Sequence, residues 1–158
     1  MASPHDRLKE LGITLPSPPA PIASYVPTKL VPIGDGRSLL YVAGQVSSRD
    51  GVRMTGRCSD EVSVEQAQDA ARAAAVNVLA QLEAAAGLDN VEDLVQVSGY
   101  VLSSEGFGDQ PKVLNAASDL FVEVFGELGK HTRVALGANA LPMSVTVEIT
   151  AVAVVRTR

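Results

Sequence analysis

The stretch HTRVALGANALPMSVTVEITAVAVV, His131 to Val155, reads as two β-strands flanking a loop, each with one charged residue among small or β-branched neighbours. Successive side chains of a strand point to opposite faces. Val134 and Leu136 therefore share one face of the first strand, and Arg133, Ala135 and Gly137 share the other. In the second strand Val145, Val147, Ile149, Ala151 and Ala153 form an apolar row, with Thr146, Glu148 and Thr150 opposite it. Both Arg133 and Glu148 are thus expected off the core face. A hairpin centred between Ala140 and Leu141 would set them directly across from each other, a register the loop could shift. Two readings of Arg133 follow. Beside residues as small as Ala135 and Gly137 its guanidinium has open space over it, as a site that grips a small carboxylate with a bidentate fork requires. The alternative is an ordinary cross-strand ion pair with Glu148 on a solvated face.

The elements upstream are set by their own punctuation. Ser63 and Gln66 have capping-box spacing, and Ala67, Ala71, Ala74, Val78, Leu82 and Ala85 repeat at helical intervals as far as Gly87. So many alanines on one side imply a helix lying close to a sheet. Leu94 to Ser103 reads as a strand. A second helix starts near Asp109 with Pro111 in its first turn, and Val113, Leu114, Ala117, Leu120, Phe121, Val124 and Phe125 form its stripe before Gly126. Nearer the N-terminus, Tyr25 to Ile33 and Ser38 to Ala43 form a hairpin about Gly34-Asp35-Gly36, followed by a polar loop from Ser47 to Asp60. Ser3 to Leu11 is a short helix closed by Gly12, and the proline-dense run LPSPPAPIA after it is an extended strap over the surface. The order ββ, α, β, α, ββ predicts an α+β layer, with two helices covering one face of a mostly antiparallel sheet. The other face, with Glu148, Val152 and Val154, must meet water or another subunit, and the valines favour a homo-oligomer. The chain divides into residues 1–21, the N-terminal helix and proline-rich extension, and residues 22–158, the domain proper.

Composition narrows the function. A chain of 158 residues can bury one real core. A net charge of −5 without a Lys/Arg cluster argues against a nucleic-acid surface. One cysteine, Cys58, excludes an internal disulfide and a cysteine-built zinc site, and with only His5 and His131 besides, no metal centre is expected. Cys58 lies in the polar stretch TGRCSDE and reads as an incidental thiol. No Walker A loop, GxGxxG, GxSxG or HExxH occurs. Residues 1–12 have no apolar signal-peptide core and no run reaches membrane-spanning length, so a cytoplasmic protein with no membrane partner is expected. His131 stands two residues before Arg133 on the same strand face: either an imidazole near the guanidinium or a polar strand end.

These residues together resemble the RidA family, also called YjgF, reactive intermediate deaminases or, formerly, endoribonuclease L-PSP. The resemblance runs from about Ile22 to the C-terminus. It rests on Tyr25, on YVAGQV (Tyr41 to Val46), on the alanine-rich helix, on LNAASDLF (Leu114 to Phe121), and above all on TRVALGANALP with the later VEI ending at Ile149. It implies a homotrimer of chorismate-mutase-like subunits with three interfacial clefts, and cofactor-free hydrolysis of enamines and imines such as 2-aminoacrylate to 2-keto acids and ammonia. By resemblance Arg133 binds the substrate carboxylate, Glu148 positions or activates the attacking water, Tyr25 packs on the ligand, Asn115 matches a helix asparagine, and Gly44 lies where the backbone approaches the ligand.

The chain departs from the deaminase pattern at Ala43 and Val134, where hydroxyl residues are usual, and at Ala23-Ser24-Tyr25-Val26 in place of Gly-Pro-Tyr-Ser. With the longer N-terminus and the expanded Ser47–Asp60 loop it resembles a longer, divergent branch. Three functions stay open: an imine or enamine deaminase, a non-catalytic module that binds small carboxylates, and the endoribonuclease of the older family name.

Overall fold

The last strand of the chain does not pair with the strand that precedes it. The computed structural model describes residues 2–157, with β6 at Thr132–Ala138 and β7 at Val147–Arg156. Between them in space lies β5, Val91–Leu102, which pairs antiparallel with β7 and parallel with β6. The expected β6–β7 hairpin is therefore corrected. A parallel pair needs a long crossover, and α3, Gln110–Phe125, supplies it between β5 and β6. With β1 at Thr28–Gly34 and β2 at Arg37–Val46, the main sheet runs β1-β2-β7-β5-β6, antiparallel except at β5–β6.

The helices cover one face. On that side Leu40, Val42, Val97, Val101, Val147, Ile149, Ala151, Ala153 and Val155 form a buried row under α2, Val64–Ala85, and α3. The Ser63 box caps α2 as its spacing predicts, and Ala67, Ala71 and Ala74 are fully buried. Close approach is also built into β5, where a Cβ at Gly99 would overlap the Leu114 side chain of α3. Helix α1, Pro4–Glu10, has Ser3 as its cap and buries Leu8 in the same core. The strap then returns along α2, where the buried Gln81 donates to the Pro19 carbonyl at 3.0 Å.

Several local expectations change. Tyr25 precedes β1, in a bend, instead of lying within the first strand. The Ser47–Asp60 loop contains a small hairpin, β3 (Ser48–Arg49) with β4 (Val52–Arg53). Cys58 is buried, and burial pushes its thiol pKa up, away from nucleophilic use. The face assignment of β6 is reversed. Val97 pairs with both Arg133 and Ala151, which puts Arg133 on the helix side, while Val134 and Leu136 are exposed on the open face. The row Arg133, Ala135, Gly137 is small because α3 lies over it, and a Cβ at Gly137 would crowd Gln110 and Ser103. The open face also carries Tyr41, 46% exposed, beside half-buried Glu148, Val152 and Val154.

Candidate functional site

Arg133 leaves its edge strand toward α3 and is held by three residues of that helix. Its Nη1 donates to Asn115 Oδ1 at 2.9 Å and to Ser118 Oγ at 3.1 Å, and its Nη2 donates to the Pro111 carbonyl at 3.3 Å. Positions 111, 115 and 118 fall on one helix face by their spacing. A guanidinium has five N–H donors. Both on Nη1 and one on Nη2 are engaged, so Nε–H and the second Nη2–H stay free of bonds to the described residues. No carboxylate lies within ion-pair distance of Arg133 among the described residues, so the ion pair with Glu148 does not form within one chain. The chain thus holds a fixed cation with two donors left over, which suits the two oxygens of a carboxylate.

His131 belongs to the same network. Its Nδ1 lies 2.7 Å from the Gly129 carbonyl and its Nε2 2.9 Å from Ser118 Oγ. Burial pushes its pKa down, the bond to Gly129 opposes that, and the Arg133 cation adds to it. The imidazole near the guanidinium is therefore the reading the geometry supports, with Ser118 between the two.

Glu148 stands on the other side of the sheet. Tyr100 pairs with both Glu148 and Leu136, so Glu148 shares the open face with the exposed Leu136. Strand β2 bulges between Val42 and Gln45, and Gly44 in that bulge lies directly under the Glu148 carboxylate, where a Cβ would overlap Oε1. Burial raises the Glu148 pKa, with no cation among the described residues opposing it. A chain of buried amides supports the bulge from behind: Gln81 donates to Gln45 Oε1 at 3.4 Å, and Gln45 donates to the Ala43 carbonyl at 3.0 Å.

Tyr25 and Gly44 line an open cavity of about 1100 Å³ between the strap, α2 and the β3–β4 hairpin. Ile13, Leu15, Pro19 and Ile22 give its strap side an apolar character, and Arg53 of the hairpin and Arg72 of α2 also line it. The strap therefore borders the half of the site that contains Tyr25 and Gly44.

The predicted residues accordingly form two groups. Arg133 and Asn115 meet over the helix side of the edge strand, Glu148 meets Gly44 at the bulge, and Tyr25 is brought near Gly44 only as a co-lining residue of the strap cavity. Ser118 was not identified from sequence, although its place three residues after Asn115 was a usable signal. Among the described residues no three His, Cys, Asp or Glu side chains converge as metal ligands would, and no helix is long and apolar enough to cross a membrane.

Comparison with known proteins places this geometry in a family. Residues 5–154 match the family described as "YjgF/chorismate_mutase-like, putative endoribonuclease". The chain is 42% identical over 147 residues to Protein TCP17 of Trypanosoma cruzi, covering 91% of this chain and 89% of that one. The crystal structure of Atu1372 from Agrobacterium tumefaciens, a protein of unknown function, is 41% identical with a TM-score of 0.83, covering 94% of this chain and 90% of the other. The structure of E. coli TdcF with bound serine is 26% identical with a TM-score of 0.59, covering 89% and 94%. With its chorismate-mutase-like α+β fold and a match along nearly its whole length, the chain belongs to the RidA/YjgF family.

Proposed function

We propose that the protein hydrolyses imines or enamines of small carboxylic acids to 2-keto acids and ammonia, in a site shared between copies of the chain. The observation that carries this reading is the Arg133 guanidinium, pinned on α3 with two unengaged N–H donors and no acidic partner among the described residues. A cation so held is a ready clamp for a substrate carboxylate. The serine bound in the TdcF structure, itself an amino acid with a carboxylate, is consistent with that use.

Arg133 and Glu148 lie on opposite faces of their own sheet. A single site that uses both must then take them from two copies, and the exposed Tyr41, Val134 and Leu136 provide a surface on which copies can meet. The homotrimer that the family resemblance implies would make three such sites. In each, Arg133 of one chain with Asn115 beside it fixes the carboxylate. Glu148 of another chain, with its pKa raised, takes a proton from water as the oxygen bonds to the imine carbon. Glu148 returns that proton to nitrogen, giving a carbinolamine; the carboxylate then carries the hydroxyl proton to nitrogen as the C–N bond breaks, so that ammonia leaves and the C=O of the ketone forms. Because imines already hydrolyse in water, orientation of the carboxylate and the water provides most of the acceleration.

The test is a coupled assay in which an amino-acid oxidase or a pyridoxal-phosphate dehydratase generates the imine, and 2-keto acid release is followed with wild type and Arg133→Ala. Acceleration by wild type that the variant loses supports the reading, and equal acceleration by both refutes it. A second reading, a carboxylate-binding module without turnover, is favoured by Ala43 and Val134, which remove hydroxyls that deaminases of this family usually carry. It predicts 2-keto acid binding that needs Arg133 and no acceleration of imine hydrolysis. Ribonuclease activity finds less support, because Arg49 is spent on Asp69 at 2.9 Å and the chain is acidic overall.

A further inference from the structure

We propose that Ser118 and His131 are positioning residues for Arg133, a hydroxyl–imidazole relay that fixes which edge of the guanidinium meets a carboxylate. The inference rests on reading Arg133 as the carboxylate grip and extends it to residues that never touch the ligand.

With the His131 ring neutral, each bond of the relay has one direction. The Gly129 carbonyl can only accept, so Nδ1 of His131 carries the proton. In the neutral ring Nε2 is then an acceptor, and the Ser118 hydroxyl donates to it. That turns a lone pair of Ser118 Oγ toward the remaining donor, Arg133 Nη1, which can only donate. The network reads from cation to carbonyl without a conflict or a free end. A serine hydroxyl alone would rotate freely; the imidazole removes that freedom.

The ring that anchors the relay is itself immobilised. His131 meets Phe121 edge to face, with ring centroids 5.8 Å apart and planes at 89°. The turn before it is packed so closely on α3 that a Cβ at Gly129 would overlap the Phe121 carbonyl. Ser118, Asn115 and Pro111 all lie on α3, so the partners of the guanidinium move as one body. Two bonds to Nη1 hold one end of the fork against the helix, and Nε–H and one Nη2–H remain for the ligand.

The test measures binding of 2-ketobutyrate by calorimetry, and KM and kcat in the coupled assay, for wild type, Ser118→Ala, Ser118→Thr, His131→Phe and Arg133→Ala. Loss of one charge-assisted bond at the fork should weaken binding about tenfold in Ser118→Ala. The rise should fall on KM, with kcat changing little. Ser118→Thr keeps the hydroxyl and should bind within about twofold of wild type. His131→Phe keeps the contact with Phe121, frees the hydroxyl, and should weaken binding several-fold. Wild-type affinity in both Ser118→Ala and His131→Phe, with affinity lost in Arg133→Ala, would overturn the relay and leave the grip standing. Failure of Ser118→Thr to restore affinity would also overturn it, since packing would then be the cause. Wild-type affinity in Arg133→Ala would show that the underlying reading of Arg133 is itself wrong.

Discussion

Replacing Gly44 with alanine adds one methyl group under the Glu148 carboxylate and almost nothing else. The backbone at Gly44 is outside the left-handed region, so alanine meets no conformational barrier there. Its Cβ, however, would overlap Glu148 Oε1 and lie 3.0 Å from Cδ and 3.3 Å from Cγ. Restoring ordinary contact moves the carboxylate by roughly 1 Å, and a misplacement of that size costs about a hundredfold in rate. The fold should bear the change, because the displaced atoms are the end of a flexible side chain on the half-open face. The steric cost is offset by about 0.4–1 kcal/mol from the lower entropy of the unfolded chain. We therefore expect Gly44→Ala to melt within about 2 °C of wild type, to bind 2-ketobutyrate unchanged through Arg133, and to lose about two orders of magnitude in kcat in the coupled imine assay. Gly108, exposed and with open space around it, is the control, and Gly108→Ala should leave all three measurements unchanged. A Gly44→Ala protein with kcat within about threefold of wild type would refute the placement of a working carboxylate over the bulge.

Three further outcomes are expected. Gly99→Ala forces a methyl into the fully buried Leu114, where neither side can yield, so it should destabilise the protein by about 1–3 kcal/mol and lower the melting temperature by several degrees in a thermal scan; an unchanged melting temperature would contradict the close contact of α3 with β5. The two histidines should titrate in opposite directions from 6.5 by NMR, with His5→Ala assigning the signals. His5 is raised chiefly by its hydrogen bond to Glu83, so its contribution to stability is full below 6.5 and is lost as pH rises through its folded pKa; His131 is lowered chiefly by burial, so its contribution is full above 6.5 and is lost as pH falls toward its folded pKa, and the reverse order would overturn both environments. The apolar strap wall beside Gly44 predicts that imines derived from leucine or methionine are hydrolysed at least as well as the alanine-derived imine; a strict preference for the smallest substrate, measured as kcat/KM, would separate the cavity from the site.

The elements that could be read from sequence were those set by local pattern. The Ser63 cap and alanine stripe of α2, the Pro111 start of α3 and the period-two row of β7 each depend on residues a few positions apart, and each is found where expected. Strand order was not legible in the same way, because it depends on which distant segment fills the space beside β7. The hairpin expectation treated β6 and β7 as neighbours because they are consecutive, whereas the 16-residue α3 between β5 and β6 is the kind of connection that makes parallel strands. The face of β6 was misread for a related reason. Small residues at Ala135 and Gly137 suggest open space on the solvent side, but they are small because a helix lies on them. The site inherits both lessons. Arg133 and Asn115 were identified together by resemblance, and their contact follows once α3 is known to cover β6. The seat of Glu148 on Gly44 depends on a bulge between Val42 and Gln45 that no local signal announced.

The central claim is that one site draws Arg133 and Glu148 from different copies of the chain, and mixing two inactive variants tests it most directly. Arg133→Ala and Glu148→Gln proteins would be unfolded together in equal amounts, refolded so that chains assort at random, and assayed for imine hydrolysis. If each site takes its arginine from one chain and its glutamate from another, a site is intact when the first chain is the Glu148→Gln variant and the second is the Arg133→Ala variant. Random assortment makes that true of about a quarter of the sites. The account predicts recovery of about a quarter of the wild-type activity from two proteins that are each inactive alone. A mixture as inactive as its components, when wild type treated the same way recovers its activity, would contradict it.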